Sequence, residues 1–252
     1  MKAAIIGAGN MGGATAIGLS KAGRVKASDI TVTARHQTTL DRFKPYGINT
    51  SLDNVEAVKA SDIVILVVKP WIMAEVAGQI GPYIDGKLVV SMAPGVKSED
   101  LRQMLPDGTR LVYAIPNTAI EILQSMTFIA PITAPATEVE ALFEGTGTTM
   151  VVDEGYLSAG TALASCGIAY AMRYVRAASE GGVELGFYAR DAVKIVCQTV
   201  MGAAGLISAH GTHPEEEIDK VTTPGGITIK GLNEMERQGF TNAVISGLKA
   251  SK

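Results

Sequence analysis

From Met1 to about Val152 the chain alternates short apolar runs with segments of helical periodicity. The runs are "AAIIG" (3–7), "ITVTA" (30–34), "DIVILVV" (62–68), "KLVVSM" (87–92), "RLVYAI" (110–115), "MTFIA" (126–130) and "TTMVV" (148–152). The first of them are continuously apolar and do not alternate. That predicts strands covered on both faces, as in a parallel sheet flanked by helices. Asn10, Asp53 and Ser98 stand where caps of the intervening helices are expected. After "VVDEGY" (151–156) no strand is predicted and helical patterns dominate. In "RDAVKIVCQTVMGAAGLISA" (190–209), Val193, Val196, Val200, Ala204 and Ile207 share one broad face. "SCGIAYAMRYVRAASEGGVELG" (165–186) reads as a second long helix, whose Gly167, Ala169, Ala171, Ala177 and Ala178 permit close packing. These helices carry too little polar surface to lie alone, so the helical half is expected to bury its face against a second copy of the chain.

Composition narrows the partners. The 252 residues are 47% hydrophobic and 19% charged, which suits a soluble globular protein with one large or two modest cores. A net charge of −3 without a basic block argues against nucleic acid. Cys166 and Cys197 lack metal-ligand spacing, and His36, His210 and His213 form no ligand cluster, so no metal is expected and a reduced, cytoplasmic setting fits. Glycines interrupt "MKAAIIGAG" too early for a secretory signal, and no segment is expected to span a bilayer.

The first apolar run leads into Gly7-Ala8-Gly9-Asn10-Met11-Gly12, a G-x-G-x-x-G sequence that opens a helical stretch. In that context the first glycine makes a tight turn, the second admits a pyrophosphate to the backbone, and the third packs helix on strand. The helix N-terminus supplies free N–H groups for the phosphates. The second strand ends at Thr33-Ala34-Arg35-His36 with no acid to accept from a ribose 2′-hydroxyl, and Arg35 can pair with a 2′-phosphate. NADPH is therefore expected over NADH, which stays possible. "VVKPWIM" (67–73) follows a buried strand at its carboxyl end, where ligands of open sheets sit, which makes Val67, Lys69 and Pro70 cofactor-binding candidates. Asn54 is grouped with them. Lys69 is equally readable as a structural residue whose stem lies along the surface. Together these features predict an α/β protein with an N-terminal Rossmann-type dinucleotide-binding domain over 1–152 and a C-terminal all-helical dimerisation domain over 153–252.

The stretch "VTTPGGITIKGL" (221–232) sets two adjacent glycines before a helical pattern. Gly-Gly is poor helix material, but a Gly-Gly loop at a helix N-terminus is a ready anion site. An ordinary loop before a helix is the plainer alternative.

The chain resembles the pyrroline-5-carboxylate reductase family over essentially its whole length. The resemblance rests on "IIGAGNMG" (5–12), "VVKP" (67–70) and "PNT" (116–118), and more strongly on "EGGVELGF" (180–187), "QTVMGAAGL" (198–206) and "HPEEEIDKVTTPGGITIKGLNEMERQGF" (213–240). It implies hydride transfer from a nicotinamide to a cyclic imine, giving L-proline from 1-pyrroline-5-carboxylate. By the same resemblance the loop is the substrate-binding loop at a dimer interface. Thr223, with the backbone of Gly225 and Gly226, then holds the substrate carboxylate, and Thr228 hydrogen-bonds the ring nitrogen. An imine protonated in water needs no strong general acid, in keeping with the lack of an evident acid/base pair. The chain departs from the family pattern at 164–170, where Ala-Ser-Cys-Gly-Ile-Ala-Tyr replaces something like S-G-S-G-P-A-Y. It departs also at Tyr113, where the family has Arg, at "APGV" (93–96), and at Arg176, where the family has an acid. Two other readings are a related imine or β-hydroxyacid oxidoreductase and a non-catalytic NADP-binding paralogue. β-Hydroxyacid dehydrogenases rely on a helix lysine, and Lys194, Lys220 and Lys230 lack the glycine-flanked context of that residue.

Overall fold

A computed structural model describes residues 1–252. The chain divides into two compact units, Met1–Ser165 and Cys166–Lys252. The first holds an eight-stranded sheet in the order β3-β2-β1-β4-β5-β6-β7-β8. The strands are β1 (Ala3–Ile6), β2 (Ile30–Thr33), β3 (Asn49–Ser51), β4 (Ile63–Leu66), β5 (Leu88–Ser91), β6 (Arg110–Ile115), β7 (Ser125–Pro131) and β8 (Gly147–Val151). Helices α1 (Asn10–Lys21), α2 (Gln37–Leu40), α3 (Asn54–Lys59), α4 (Met73–Ile80), α5 (Ser98–Met104) and α6 (Thr137–Phe143) connect them.

Two apolar clusters explain the unbroken hydrophobic runs. Ile5, Val32, Ile65, Val90 and Val112 pack with Leu19, Phe43 and Phe143 in one cluster. Ala4, Ile6, Val64, Leu66, Val89 and Leu111 pack with Met73 and Ile80 in the other. Successive side chains of a strand point to opposite faces, so a strand buried on both needs apolar residues at every position.

Strands β1 to β6 are parallel, but β7 runs antiparallel to β6, with Tyr113 opposite Ala130. Residues 116–124 between them hold only a 3₁₀ turn, Thr118–Ile122, and a parallel return needs a longer crossover. Strand β8 then pairs parallel to β7. The sequence gives no hint of β3, whose "NTS" is a polar edge strand without an apolar face to announce it. Asp53 caps α3 as expected, its carboxylate accepting from Val55 N at 2.7 Å and Glu56 N at 3.2 Å. Asn10 and Ser98 instead begin their helices, one position past the caps Gly9 and Lys97.

The sheet ends at Val151, whereas the first unit continues to Ser165. The added residues contain α7 (Leu157–Gly160) and all but the last residue of a π-helical turn, Thr161–Cys166. They pack onto the sheet: Leu157 lies against the second apolar cluster and Ala162 is buried. Gly160 sits so close to the Phe128 ring that a side chain there would strike it.

The second unit comprises α8 (Gly167–Glu184), α9 (Ala189–His210), α10 (Pro214–Lys220), α11 (Ile227–Arg237) and α12 (Phe240–Ala250). Helices α8 and α9 approach closely at Gly182 and Ala192. Within these five helices only Ser179 and Ala192 are buried. Contrary to the expectation from sequence, α9 is long and apolar enough to cross a membrane by length and composition, with a mean hydropathy of 1.5 in its most apolar window. The reason is positional: Arg190, Asp191 and Lys194 gather at its start and leave 195–210 without a formal charge.

Candidate functional site

In this sheet the chain runs outward in opposite directions from β1, so the crevice between β1 and β4 is the switch point at which open α/β sheets bind ligands. The loop 7–12 leaves β1 at that point. Gly7 has φ +112°, and a side chain on it would press on the carbonyl of Val67, which leaves the adjacent β4. A side chain on Gly12 would collide with the Gly7 carbonyl. These two glycines are thus required by contacts inside the protein. Gly9 is not, since a Cβ there would meet no atom within 4 Å. Its open side, at the N-terminus of α1, leaves a cradle of the kind a phosphate occupies. Asn10 is exposed beside it, while the Met11 side chain packs on the core, so Met11 offers the crevice its backbone.

The neighbouring strand ends bring further candidates to the same edge of the sheet. Val67 N donates to Ile6 O at 2.9 Å, which locks the two strand ends together. Thr33, at the end of β2, donates to Asn54 Oδ1 at 2.7 Å, and Asn54 Nδ2 donates to Gln79 Oε1 at 3.2 Å. Asn54 is therefore fixed beside the end of β2. Arg35, two residues after Thr33, is exposed. Lys69 and Pro70 are exposed as well, and Lys69 Nζ lies 5.9 Å from the centre of the Trp71 ring. Trp71 is 78% exposed, an unusual position for a large ring.

Three residues at this end of the sheet carry no signal in the hydrophobic pattern of the sequence, although Tyr113 stands out as a departure from the resemblance. The Arg42 guanidinium donates to the carbonyls of Ala8 and Gly9, both at 2.7 Å. The Tyr113 hydroxyl donates to Val96 O in the loop after β5. Burial, and then the negative charges of Glu154 and Asp100, raise the pKa of this phenol, so it remains a donor. Glu154 holds the end of the same loop, accepting from Ser98 N at 2.9 Å and from Ser98 Oγ. The one hint at Arg42 is Gly13, a glycine the fingerprint does not require.

At the departures from the family pattern, the residues present make contacts of their own. The π-helical turn places Ser165 Oγ 3.3 Å from Pro116 O, and the Asn117 side chain caps the following turn by accepting from Ala119 N at 3.1 Å. Turns of this type are frequent at functional sites. Arg176 pairs with Glu180 at 3.0 Å along α8.

In the second unit, Thr223-Pro224-Gly225-Gly226 forms a tight turn closed by Gly226 N to Thr223 O at 2.9 Å. Gly225 has φ +71°, so Pro and Gly occupy the second and third positions of a type II turn. The Gly226 N–H, named among the backbone groups expected to meet the carboxylate, donates within this turn. Gly225, which has open space around it, and the first turn of α11 remain as donors. Thr223 and Thr228 are exposed, and Gly226 caps α11.

A family model described as pyrroline-5-carboxylate reductase dimerisation matches residues 154–252, and one described as NADP oxidoreductase, coenzyme F420-dependent, matches residues 2–95. Relatives include pyrroline-5-carboxylate reductase from Methanosarcina acetivorans, 36% identical over 100% of this chain and 97% of that protein. Pyrroline-5-carboxylate reductase 2 of Dictyostelium discoideum is 35% identical over 98% of this chain and 90% of its own length. Pyrroline-5-carboxylate reductase 1 of the same organism is 38% identical over 98% of this chain, which spans only about half, 48%, of that longer protein. Among solved structures, Plasmodium falciparum pyrroline carboxylate reductase with NADP bound superposes with a TM-score of 0.91 at 25% identity, covering 100% of this chain and 95% of that one. By identity, by coverage and by fold, the chain belongs to the pyrroline-5-carboxylate reductase family.

Proposed function

We propose that the protein reduces 1-pyrroline-5-carboxylate to L-proline with NADPH, NADH serving less well, and that it acts in the cytoplasm as a homo-oligomer of at least two chains. The observation that carries this reading is that one chain joins a phosphate cradle at Gly9 to a Pro-Gly turn opening α11. The family to which the chain belongs supports it.

Gly9, Asn10 and the start of α1 hold the pyrophosphate, with Gly7 and Gly12 fixing the loop behind it. Arg35 pairs with the 2′-phosphate, and Asn54, Val67, Lys69 and Pro70 border the dinucleotide. When bound, the dinucleotide supplies the hydride. Thr223, Gly225 N–H and the first turn of α11 hold the substrate carboxylate. The Thr228 hydroxyl sits at the ring nitrogen and orients the imine; a protonated imine asks no acid of the protein. The matched dimerisation region supports burial of the exposed α8 and α9 faces against a second chain rather than burial of α9 in a membrane.

The test is consumption of NADPH on addition of 1-pyrroline-5-carboxylate, with proline identified as product. Turnover to proline is expected. NADPH binding without turnover would make the chain a non-catalytic paralogue, and turnover only of a β-hydroxyacid would overturn the substrate.

A further inference from the structure

Arg42 lies in the 3₁₀ segment Asp41–Tyr46, well away in sequence from the glycine loop. Its guanidinium nevertheless sits on that loop. One terminal nitrogen, Nη2, donates to both Ala8 O and Gly9 O at 2.7 Å. The guanidinium carbon lies 4.9 Å from the centre of the Phe43 ring, and Phe43 is fully buried, so the cation has a rigid platform. The space it fills is the space a side chain at Gly13 would take: a Cβ there would collide with Nη2. Gly13 is therefore the gap that lets Arg42 reach the loop.

The consequence follows from the planarity of the peptide bond. In a trans peptide the N–H points opposite to the preceding C=O. The Gly9 carbonyl also accepts from Gly13 N at 2.9 Å within the helix, and holding it and the Ala8 carbonyl toward Arg42 turns the N–H groups of Asn10 and Gly9 away from the guanidinium. These are the donors at the N-terminus of α1, on the open side of Gly9. The positive charge adds to the field of the helix terminus.

We propose that Arg42 is a positioning residue for the phosphate loop, orienting the Gly9 and Asn10 N–H groups toward the pyrophosphate of the cofactor, and that Gly13 exists to admit it. This rests on the reading of the loop as a dinucleotide site. Both cofactors carry the pyrophosphate, so the effect does not discriminate between them, unlike that of Arg35.

The experiment measures Kd for NADPH and NADH in four proteins: wild type, Arg42→Met, Gly13→Ala and the double variant. Arg42→Met raises both Kd values by the same factor, about tenfold for the loss of charge-assisted hydrogen bonds to the loop. Gly13→Ala displaces only the flexible end of Arg42, keeps the native residue at 42 and improves helix propensity, so it folds even where Arg42→Met does not. It raises both Kd values in the wild-type background and adds nothing in the Arg42→Met background, the signature of two residues acting through one contact. Arg42→Lys recovers part of the loss. Unchanged Kd values in Arg42→Met and Gly13→Ala overturn the proposal. So do additive effects, or a loss confined to NADPH, which would place Arg42 on the 2′-phosphate. A wild type that binds neither cofactor overturns the dinucleotide reading itself, and the two failures are thus distinct.

Discussion

The hydroxyl of Tyr113, at the heart of β6, donates to the carbonyl of Val96 in the loop that follows β5. Tyr113 is only 1% exposed, and the bond reaches across to residues at the carboxyl edge of the sheet. The loop is held a second time by Glu154 on Ser98 and turns at Gly95, with φ +80°. A neutral donor thus holds this loop from the interior without burying a charge.

Tyr113→Phe keeps the ring in the core and removes only the hydroxyl. The Val96 carbonyl then loses its partner, and stability is expected to fall by about 1 kcal/mol. Chemical denaturation of the two proteins measures it. Equal unfolding free energies would show that the bond contributes nothing and that loop 93–98 stands on Glu154 alone.

Cofactor choice is expected to follow Arg35. The residue is exposed two positions after Thr33, and no acid stands at the end of β2. Arg35→Ala is expected to weaken NADPH by about 1–3 kcal/mol relative to NADH, through loss of a charge-assisted contact to the 2′-phosphate. Titration with each cofactor decides it. Parallel losses for both would remove Arg35 from the 2′-phosphate.

Much of this architecture was legible because two-sided burial leaves a mark. The runs at β1, β4 and β5 have to be apolar throughout, and they are. Strand β3 leaves no mark because its polar edge demands nothing of its side chains. The antiparallel turn of β7 is set by the length of its connection, which hydrophobic patterning does not encode. At the site, Gly7 and Gly12 were legible because contacts inside the protein leave no room for a side chain there, and Gly9 because its spacing between them completes the G-x-G-x-x-G sequence. Arg42 was not, since its partners are carbonyls some thirty residues away, and an exposed arginine in a short polar helix resembles any other. The apolar face of α9 shows in its periodicity, whereas its fitness in length and hydropathy for a membrane comes from the gathering of its charges at one end, which periodicity does not report.

Acid is expected to weaken the second unit through Glu217. Its carboxylate accepts from Lys220 at 2.7 Å, Thr212 at 2.6 Å and His210 at 3.1 Å, with Lys220 the largest influence, and its pKa is held at about 2. A carboxyl depressed by folding contributes stability fully above its unfolded value, here 4.5, and loses it as pH falls from there toward 2. Glu217→Gln lacks this contribution. The gap in Tm between wild type and variant is therefore widest near neutral pH and closes below about pH 4.5. A gap independent of pH would show that the carboxylate is not the source.

Assembly is expected from the surface of the helical unit. Leu185 is 84% exposed, Tyr188 84% and Met201 61%, beside Phe187 and Leu206. Apolar exposure on this scale marks an interface. Light scattering at low micromolar concentration is expected to give at least a dimer. A stable, active monomer would contradict both the interface and a substrate site shared between chains.

The sharpest test of the substrate site is Thr228, because the neighbouring glycines answer to the turn as well as to a ligand. A side chain at Gly226 would lie 2.7 Å from Thr223 Oγ1 and 2.9 Å from Thr223 O, so Gly226→Val distorts the loop whether or not a carboxylate binds there. Gly225 is likewise held by its positive φ. Thr228 carries no such burden. It is exposed in the first turn of α11, and alanine is the better helix former at that position. Thr228→Ala is therefore expected to leave folding and NADPH affinity intact while removing a hydrogen bond at the ring nitrogen. The loss of transition-state stabilisation is expected at about 1.5–3 kcal/mol, about ten- to a hundredfold in kcat/KM for the imine. Thr223→Ala is expected chiefly to raise KM, since a carboxylate contact is made in ground and transition states alike. Steady-state kinetics of both variants beside a cofactor titration separate the roles. Full kcat/KM in Thr228→Ala would remove the threonine from the reaction and leave the turn before α11 as a connector.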